Sequence, residues 1–484
     1  MIRRWIYAIG FALGSVSLIL GPAVLRTQAE DWPQFRGQNA SGVSTSASPL
    51  PVSFSTQSNV AWSVELGDSV ASPVICQGRV YTTAMVGERT LGVFCFDAKT
   101  GAKLWQRELA TGELPRITPP NSHAAATPAC DGKRVYIHFS TLGLIALDVN
   151  SGEQVWHYPL PTPAYLMDWG SAASPIVYHE VVYFNQDDDL DPTLFAVDAA
   201  TGKLRWRVAR PEMLAGYSIP VICEAGGRTD LVVAGTGKLK GYDPQTGREV
   251  WSCHTLPRTM MTSPVVRDGV IYLSVQSYGD ESRTLKFALL EWLDTNQDTI
   301  LERKEVPKEF WKRFDQSDKN QDGKLAEGEL DTAFQAADNQ VGGGSLIQAV
   351  RGGGTGDVTK THVVWNLKNR SPSNLSSPLV VGQQLFVVKK GGLSSSFDTV
   401  SGETLWQLKR IQNLGDYFGS PVAGDGKIYV PGENGFMVVL AQGPNLEVLA
   451  RNDMGESCLA SPAIAEGRIY IRTRHHLYCI ANQP

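Results

Sequence analysis

The stretch Asp148-Val-Asn-Ser-Gly-Glu-Gln-Val-Trp156 spells Asp, two residues, Ser or Thr, Gly, three residues, Trp. The same spelling returns at Asp97–Trp105, Asp198–Trp206, Asp243–Trp251 and Asp398–Trp406. Working outward, a second phrase recurs upstream: a small residue and Pro, then a strand ending in Val/Ile-Tyr. It runs Ala71-Ser72-Pro73 to Tyr81, Ala126-Thr127-Pro128 to Tyr136, Ala173-Ser174-Pro175 to Tyr183 and Thr262-Ser263-Pro264 to Tyr272. It continues as Ser376-Ser377-Pro378 to Phe386, Gly419-Ser420-Pro421 to Tyr429 and Ala460-Ser461-Pro462 to Tyr470. A looser eighth copy, Ser218-Ile219-Pro220, leads to Leu231-Val232-Val233. Self-similarity with a period of about 40–50 residues and several short strands per period predicts an all-β, eight-bladed β-propeller.

Each unit reads as a four-stranded antiparallel blade. Strand A carries the Ser-Pro phrase, strand B ends in Val-Tyr, and strand C reads like Leu144-Ile145-Ala146-Leu147. The turn into strand D needs an Asp to bond nearby amides and a Gly to take positive φ. The Trp on D is too large for one sheet to bury, so it packs on its neighbour. The last unit has strands A, B and C but no D before the chain stops at Pro484, whereas Val60-Ala61-Trp62-Ser63-Val64 reads as a D strand with no blade before it. Joining them removes two exposed edges.

Residues 1–29 read as an export signal: Arg3 and Arg4, an apolar run from Trp5 to Leu20, then Thr27-Gln28-Ala29 as a cleavage site. The remaining organisation is a lead-in at 30–58, propeller at 59–278, an insertion at 279–344 and propeller again at 345–484. The chain is therefore expected in the periplasm or secreted, with no transmembrane domain once the signal is removed; an uncleaved anchor is the alternative. Net charge is −5 with no basic run, which argues against nucleic acid as a partner. Seven cysteines leave at least one unpaired. Cys95 and Cys479 fall where other units have Ala146 and Ala196, a small core slot.

The insertion interrupts the fifth unit. Residues 285–338 contain 13 Asp/Glu and 8 Lys/Arg, a net of −5, so the rest of the chain sums to zero. Helix-like spacing replaces strand alternation at Leu285–Leu293, Pro307–Phe314 and Glu329–Ala337. Two calcium-loop spellings stand inside it. The first offers Asp294, Asn296, Asp298, the Ile300 carbonyl, Glu302 and Glu305; the second offers Asp318, Asn320, Asp322, the Lys324 carbonyl and Glu329. Ca2+ is a hard cation taking six to eight oxygens, which such 12-residue loops supply. Leu301 and Leu325 are apolar where paired loops meet. Both loops resemble the EF-hand family. Thr299 stands where Gly323 makes the sharp turn in the second loop, so the second loop is expected to bind more tightly.

The B–C loop of an antiparallel blade lies on the face where the chain enters strand A, so the insertion is expected to rise from that rim. The entrance segments hold His123, Asp168, Trp169, Tyr217, Arg258, Asn374, Asp416, Tyr417 and Glu456, the predicted ligand or partner funnel.

The repeated phrases resemble the pyrroloquinoline-quinone (PQQ) repeats of quinoprotein alcohol dehydrogenases and of the non-enzymatic outer-membrane assembly lipoprotein BamB. The opening Trp32-Pro33-Gln34-Phe35-Arg36-Gly37 is similar to the start of PQQ-like propeller proteins. The dehydrogenase side of the resemblance implies PQQ above a funnel Ca2+ held by Glu, Asn and Asp, an Asp base, and often a Cys-Cys disulfide. This chain has no adjacent Cys pair and no Cys-x-x-Cys-His. Asp168 and Asp416 lie in suitable loops but match no family ligand or base. No catalytic residue is therefore assigned. The main reading is an exported, calcium-binding, non-catalytic propeller that binds a protein or cell-envelope component. The second is a PQQ-dependent alcohol or sugar dehydrogenase.

Overall fold

The computed structural model describes residues 30–483 except 47, 167, 212, 214–215, 257–259, 278–288, 291–292, 335–343, 369–374 and 416–418. The expected export signal at residues 1–29 and four funnel candidates, Arg258, Asn374, Asp416 and Tyr417, lie outside the described residues.

Eight sheets of four antiparallel strands close into a ring, and the blade 4 sheet gains a fifth strand, Gly356–Asp357, parallel to its strand D. In blade 1 the strands are A (Val74–Cys76), B (Arg79–Gly87), C (Thr90–Asp97) and D (Lys103–Ala110). Strands A, B and C are buried over most of their length, while D is exposed except for buried Trp105 and half-buried Leu109. Later blades repeat this order. The last blade takes its fourth strand from the other end of the chain: Val60–Glu65 pairs antiparallel with His476–Ala481, Trp62 opposite Cys479. The expected closure is therefore present, and each sheet buries its faces against two neighbours.

Register explains the spelling of the repeat. Tyr on B, a small residue on C and Trp on D stand in one row across the blade: Tyr81, Cys95 and Trp105; Tyr136, Ala146 and Trp156; Tyr183, Ala196 and Trp206. The small residue lets the two rings meet over it, with centroids 5.9, 5.7 and 5.9 Å apart. Cys95 and Cys479 fill that slot, and all seven cysteines are buried free thiols. The sequence reading passed over Trp365, which stands opposite Ala349 on strand D of blade 5 (Val363–Lys368) and meets Tyr272 at 6.1 Å. Its own C–D turn lacks the Asp-x-x-Thr/Ser-Gly spelling, so no local phrase marks it.

The lead-in closes the far end of the channel. Trp32 bridges to Ile75 in blade 1, Pro33 accepts from Cys130 N–H in blade 2, and Gln34 accepts from Val177 N–H in blade 3. Asn39 makes two bonds with the Ile222 backbone in blade 4, at 2.7 and 2.8 Å. Arg36, fully buried, donates to the carbonyls of Pro378 (2.8 Å) and Pro421 (3.4 Å) in blades 6 and 7. One short segment thus staples six blades and turns the channel into a cup. Its path forces positive φ on Arg36, Asn39 and Ala40.

Within the insertion, Leu301–Glu302 pairs antiparallel with Lys324–Leu325, placing Leu301 opposite Leu325 as the spacing predicts. Short helices stand at Trp311–Ser317, preceded by a 3-10 turn at Lys308–Phe310, and at Glu327–Leu330, while most of the expected Leu285–Leu293 helix and the end of the expected Glu329–Ala337 helix lie outside the described residues. Pro307 sits at the N-cap and lets the first turn tighten to 3-10 geometry. No described helix is long and apolar enough to cross a membrane.

Candidate functional site at the funnel and its rim

The small-residue-Pro phrase builds the neck of the cup. At its second position each blade's backbone N–H donates to the hydroxyl of the next blade. Ser72 N–H donates to Thr127 (3.1 Å) and Thr127 N–H to Ser174 (2.9 Å). Ile219 N–H donates to Ser263 (3.1 Å), Ser263 to Ser377 (3.0 Å) and Ser377 to Ser420 (3.0 Å). Ser420 donates to Ser461 (2.8 Å), and Ser461 back to Ser72 (3.1 Å). Seven hydroxyls thus form a collar around the axis, broken only where blade 4 has Ile219. The looseness of that one copy in the sequence is the missing hydroxyl.

All seven hydroxyl residues line a cavity of about 420 Å3. Phe35 of the lead-in forms part of its floor, and its mouth is apolar and aromatic: Pro119, Pro120, Trp169, Tyr217, Leu375 and Leu459. Tyr217 stacks on Tyr165 at 5.4 Å and meets Trp169 at 6.4 Å. Asn121 holds the mouth loops together, donating to the Trp169 carbonyl at 2.6 Å. The described wall carries no Asp, Glu, Lys or Arg side chain.

The predicted funnel residues divide. Trp169 and Tyr217 line the cavity. Asp168, at positive φ, points outward toward exposed Arg116 at 3.7 Å. Burial pulls the His123 imidazole below its usual range, opposed by Asp68. Burial would raise Glu456, but the His475 N–H (2.8 Å) and the His476 ring outweigh it and hold the carboxyl below its usual range. The sequence reading missed the collar itself, although the recurring Ser-Pro was its signal.

The insertion reaches this mouth. Its apolar core of Leu289, Leu293, Leu301, Val306, Phe310 and Phe314 packs against Ala164 and Leu166, in the same entrance segment as Trp169. That segment is tied down by the acidic B–C loop of blade 3: Ala164 N–H donates to Asp188 (3.1 Å) and Leu166 N–H to Asp189 (2.8 Å). Burial lowers the Arg313 guanidinium, and the charges of Asp189 and Asp188 oppose that shift. The insertion therefore grows from blade 5 and rests on blade 3.

The two acidic loops fold alike. Asp294 accepts from Asp298 N–H (3.3 Å) and Thr299 N–H (2.9 Å); Asp318 accepts from Asp322 N–H (3.2 Å) and Gly323 N–H (2.9 Å). Asn296 and Asn320 accept from the N–H two residues on, each at 2.9 Å, and so do Asp298 and Asp322. Glu305 accepts from Thr295 N–H (3.1 Å) and Glu329 from Lys319 N–H (2.8 Å), so the last residue of each loop reaches back to its second. Glu302 is engaged by Lys304 and, at 3.1 Å, by Lys324 of the other loop. Thr299 holds φ +66° and Gly323 φ +78°, so the turn is left-handed in both. Among the described residues no three His, Cys, Asp or Glu side chains converge closely enough to hold an ion by themselves. A cation here would draw also on the Asn amide oxygens and the carbonyls of Ile300 and Lys324.

Comparison with known proteins agrees with this architecture. A quinoprotein ethanol dehydrogenase from Pseudomonas aeruginosa is 24% identical over 241 residues, 43% of this chain and 37% of that protein. The serine/threonine-protein kinase AfsK of Streptomyces griseus is 34% identical over 139 residues, 29% of this chain and 15% of the kinase. The chain thus spans well under half the length of these curated relatives. Among solved structures, BamB from Moraxella catarrhalis aligns with a TM-score of 0.55 at 15% identity, over 88% of this chain and 97% of that one, a likeness of fold. The family model described as outer membrane protein assembly factor BamB matches residues 43–183, 168–305 and 317–483, most of the molecule, and the chain belongs to that family of PQQ-like propellers.

Proposed function

We propose that this protein is an exported, calcium-binding, non-catalytic propeller that binds a protein or cell-envelope component at the funnel mouth. The observation that carries the reading is the shared packing of the insertion core and the Trp169 entrance segment at Ala164 and Leu166. In this reading Asp294, Asn296, Asp298, the Ile300 carbonyl and Glu305 hold one Ca2+. Asp318, Asn320, Asp322, the Lys324 carbonyl and Glu329 hold the second, as an EF-hand pair. The matched amide-to-carboxylate bonds in both loops support it, because they wind two separate twelve-residue acidic stretches into the same turn. The ions stiffen the insertion, which steadies the mouth. The likeness to BamB makes outer-membrane assembly one setting for the partner.

A photocrosslinker at Tyr217 in the intact protein, with Ca2+ and then with chelator, tests this reading. It expects an adduct that weakens on chelation and returns with Ca2+ but not Mg2+. An adduct indifferent to Ca2+ removes the calcium role, and no adduct removes the funnel as the partner face.

The match to quinoprotein ethanol dehydrogenase supports the second reading, a PQQ-dependent dehydrogenase. PQQ carries three carboxylates and in such enzymes sits above a metal. The described wall offers neither cations for the carboxylates nor acidic ligands for the metal, so these residues do not fit it. Dye reduction with added PQQ, Ca2+ and a panel of alcohols and sugars decides between the two readings.

A further inference from the structure

The collar has a consequence beyond holding blades together. Each of its seven hydroxyl oxygens already accepts a backbone N–H. Ser174 donates its own proton to the Ala172 carbonyl at 3.3 Å. The other six, Ser72, Thr127, Ser263, Ser377, Ser420 and Ser461, have no acceptor for their O–H among the described residues. All six are buried at 2–3% exposure and all face the cavity. A buried hydroxyl donor without an acceptor is costly, so such groups find water or a guest. The neck can therefore donate up to six hydrogen bonds, while half of its accepting capacity is already used.

Two further observations narrow the guest. The mouth above the collar is apolar and aromatic, with Trp169 and Tyr217 offering flat faces. Below it, the buried Arg36 guanidinium bonds the carbonyls of Pro378 and Pro421, the residues that follow collar members Ser377 and Ser420. Those bonds fix the backbone from which Ser377 and Ser420 present their hydroxyls to the neck.

We infer that the funnel neck is a hydrogen-bond-donating collar that seats the carbonyl or carboxylate end of an organic guest whose apolar or aromatic body rests in the mouth. A guest entering with an ammonium end meets hydrogen-bond donors, and is rejected. The inference rests on reading the funnel as the ligand face, and the two can fail separately.

The test uses three probes with one body: 2-naphthamide, 2-naphthoate and 2-naphthylmethylammonium, titrated calorimetrically into the full mature chain. The amide and the carboxylate are expected to bind about tenfold or more tightly than the ammonium, the worth of one or two hydrogen bonds. Ser420→Ala should weaken amide binding about fivefold, and Ser420→Thr, which keeps the hydroxyl, should restore it. Trp169→Ala should weaken all binding without changing the order. An ammonium probe that binds as well as the amide overturns the collar's role and leaves the funnel a binding site. So does equal binding by the Ala and Thr variants. Binding by none of the three also overturns the collar, while the Tyr217 crosslink judges the partner face independently.

Discussion

The indole N–H of Trp105 donates to the carbonyl of Val149, one blade further on, at 3.0 Å. Gly152, three residues beyond Val149, lies flat on the same indole. The relationship repeats from Trp62 to Ala98, Trp156 to Ala199, Trp206 to Pro244 and Trp365 to Thr399. The carbonyl always belongs to the residue after the turn Asp. The Asp-x-x-Thr/Ser-Gly phrase therefore serves the Trp of the preceding blade, not its own. Trp251 and Trp406 face blades without the phrase, and they turn instead to Asp230 (2.7 Å) and Ser394 (3.3 Å) within their own sheets.

Gly152→Ala should destabilise the propeller by about 3 kcal/mol, because the added Cβ would lie 2.6 Å from the Trp105 ring at a position already left-handed at φ +70°. Gly78→Ala has the same backbone, φ +72°, but open space around it, and should cost only about 1 kcal/mol. Urea unfolding of the pair separates packing from backbone strain; equal losses would refute the stacking role.

Cys95→Ala should be tolerated to within about 1 kcal/mol, because Ala146 and Ala196 fill the same slot between Tyr and Trp in other blades. Cys95→Leu should cost about 2–3 kcal/mol by forcing Tyr81 and Trp105 apart. Thermal melts in reductant check both.

Arg210 and Asp187 form a fully buried ion pair at 3.2 Å. Arg210→Met removes the guanidinium from the buried Asp187 carboxylate, which Asn185 still bonds at 2.8 Å, and should cost about 3 kcal/mol. The double variant with Asp187→Leu should recover part of that loss. Denaturant midpoints for the two singles and the double form the cycle, and additive losses would show that the pair is not coupled.

Thr299→Gly should tighten calcium binding at the first loop about fivefold, because Thr299 holds φ +66° and Gly takes that conformation without strain. Gly323→Thr should weaken the second loop similarly. Calorimetric titration with Ca2+ reads both, and an unchanged first-loop affinity in Thr299→Gly would show that strain does not set it.

Four turn aspartates are held below the ordinary carboxylate range. Bonding from Arg205 brings Asp198 to about 2, while the Thr100 hydroxyl lowers Asp97, and backbone N–H groups of Ser151 and Ser401 lower Asp148 and Asp398. A folded-state value below the unfolded one means that the stabilisation is present above about pH 4 and is lost as pH falls toward 2. Stability measured from pH 5 to pH 2 should fall, and Asp198→Asn should flatten part of that slope. A slope unchanged in Asp198→Asn would deny that turn its share.

Much of the architecture is legible in local chemistry. A left-handed Gly, a turn Asp and a Trp eight residues on are demands of a single hairpin, so they recur wherever the hairpin recurs, and with the Ser-Pro phrase they mark out the blades. The paired acidic loops are legible for the same reason, because each is a contiguous stretch whose own backbone orients its carboxylates. Trp365 escaped because its hairpin departs from the spelling while its packing does not.

What the chain alone determined is the repeat, its number and its sealing strand, since these depend on contacts within one period and on unpaired edges at the two ends. Tertiary structure decided which side chains meet on the axis. Trp169 and Tyr217 reach the cup, whereas His123, Asp168 and Glu456 are not among its described lining, Asp168 facing Arg116 and Glu456 facing His475 and His476. The collar exists only because each Ser-Pro phrase meets the next at one height, and the cup only because Trp32–Asn39 crosses beneath six blades. Such contacts join residues up to hundreds of positions apart, and no local pattern encodes a direction in space.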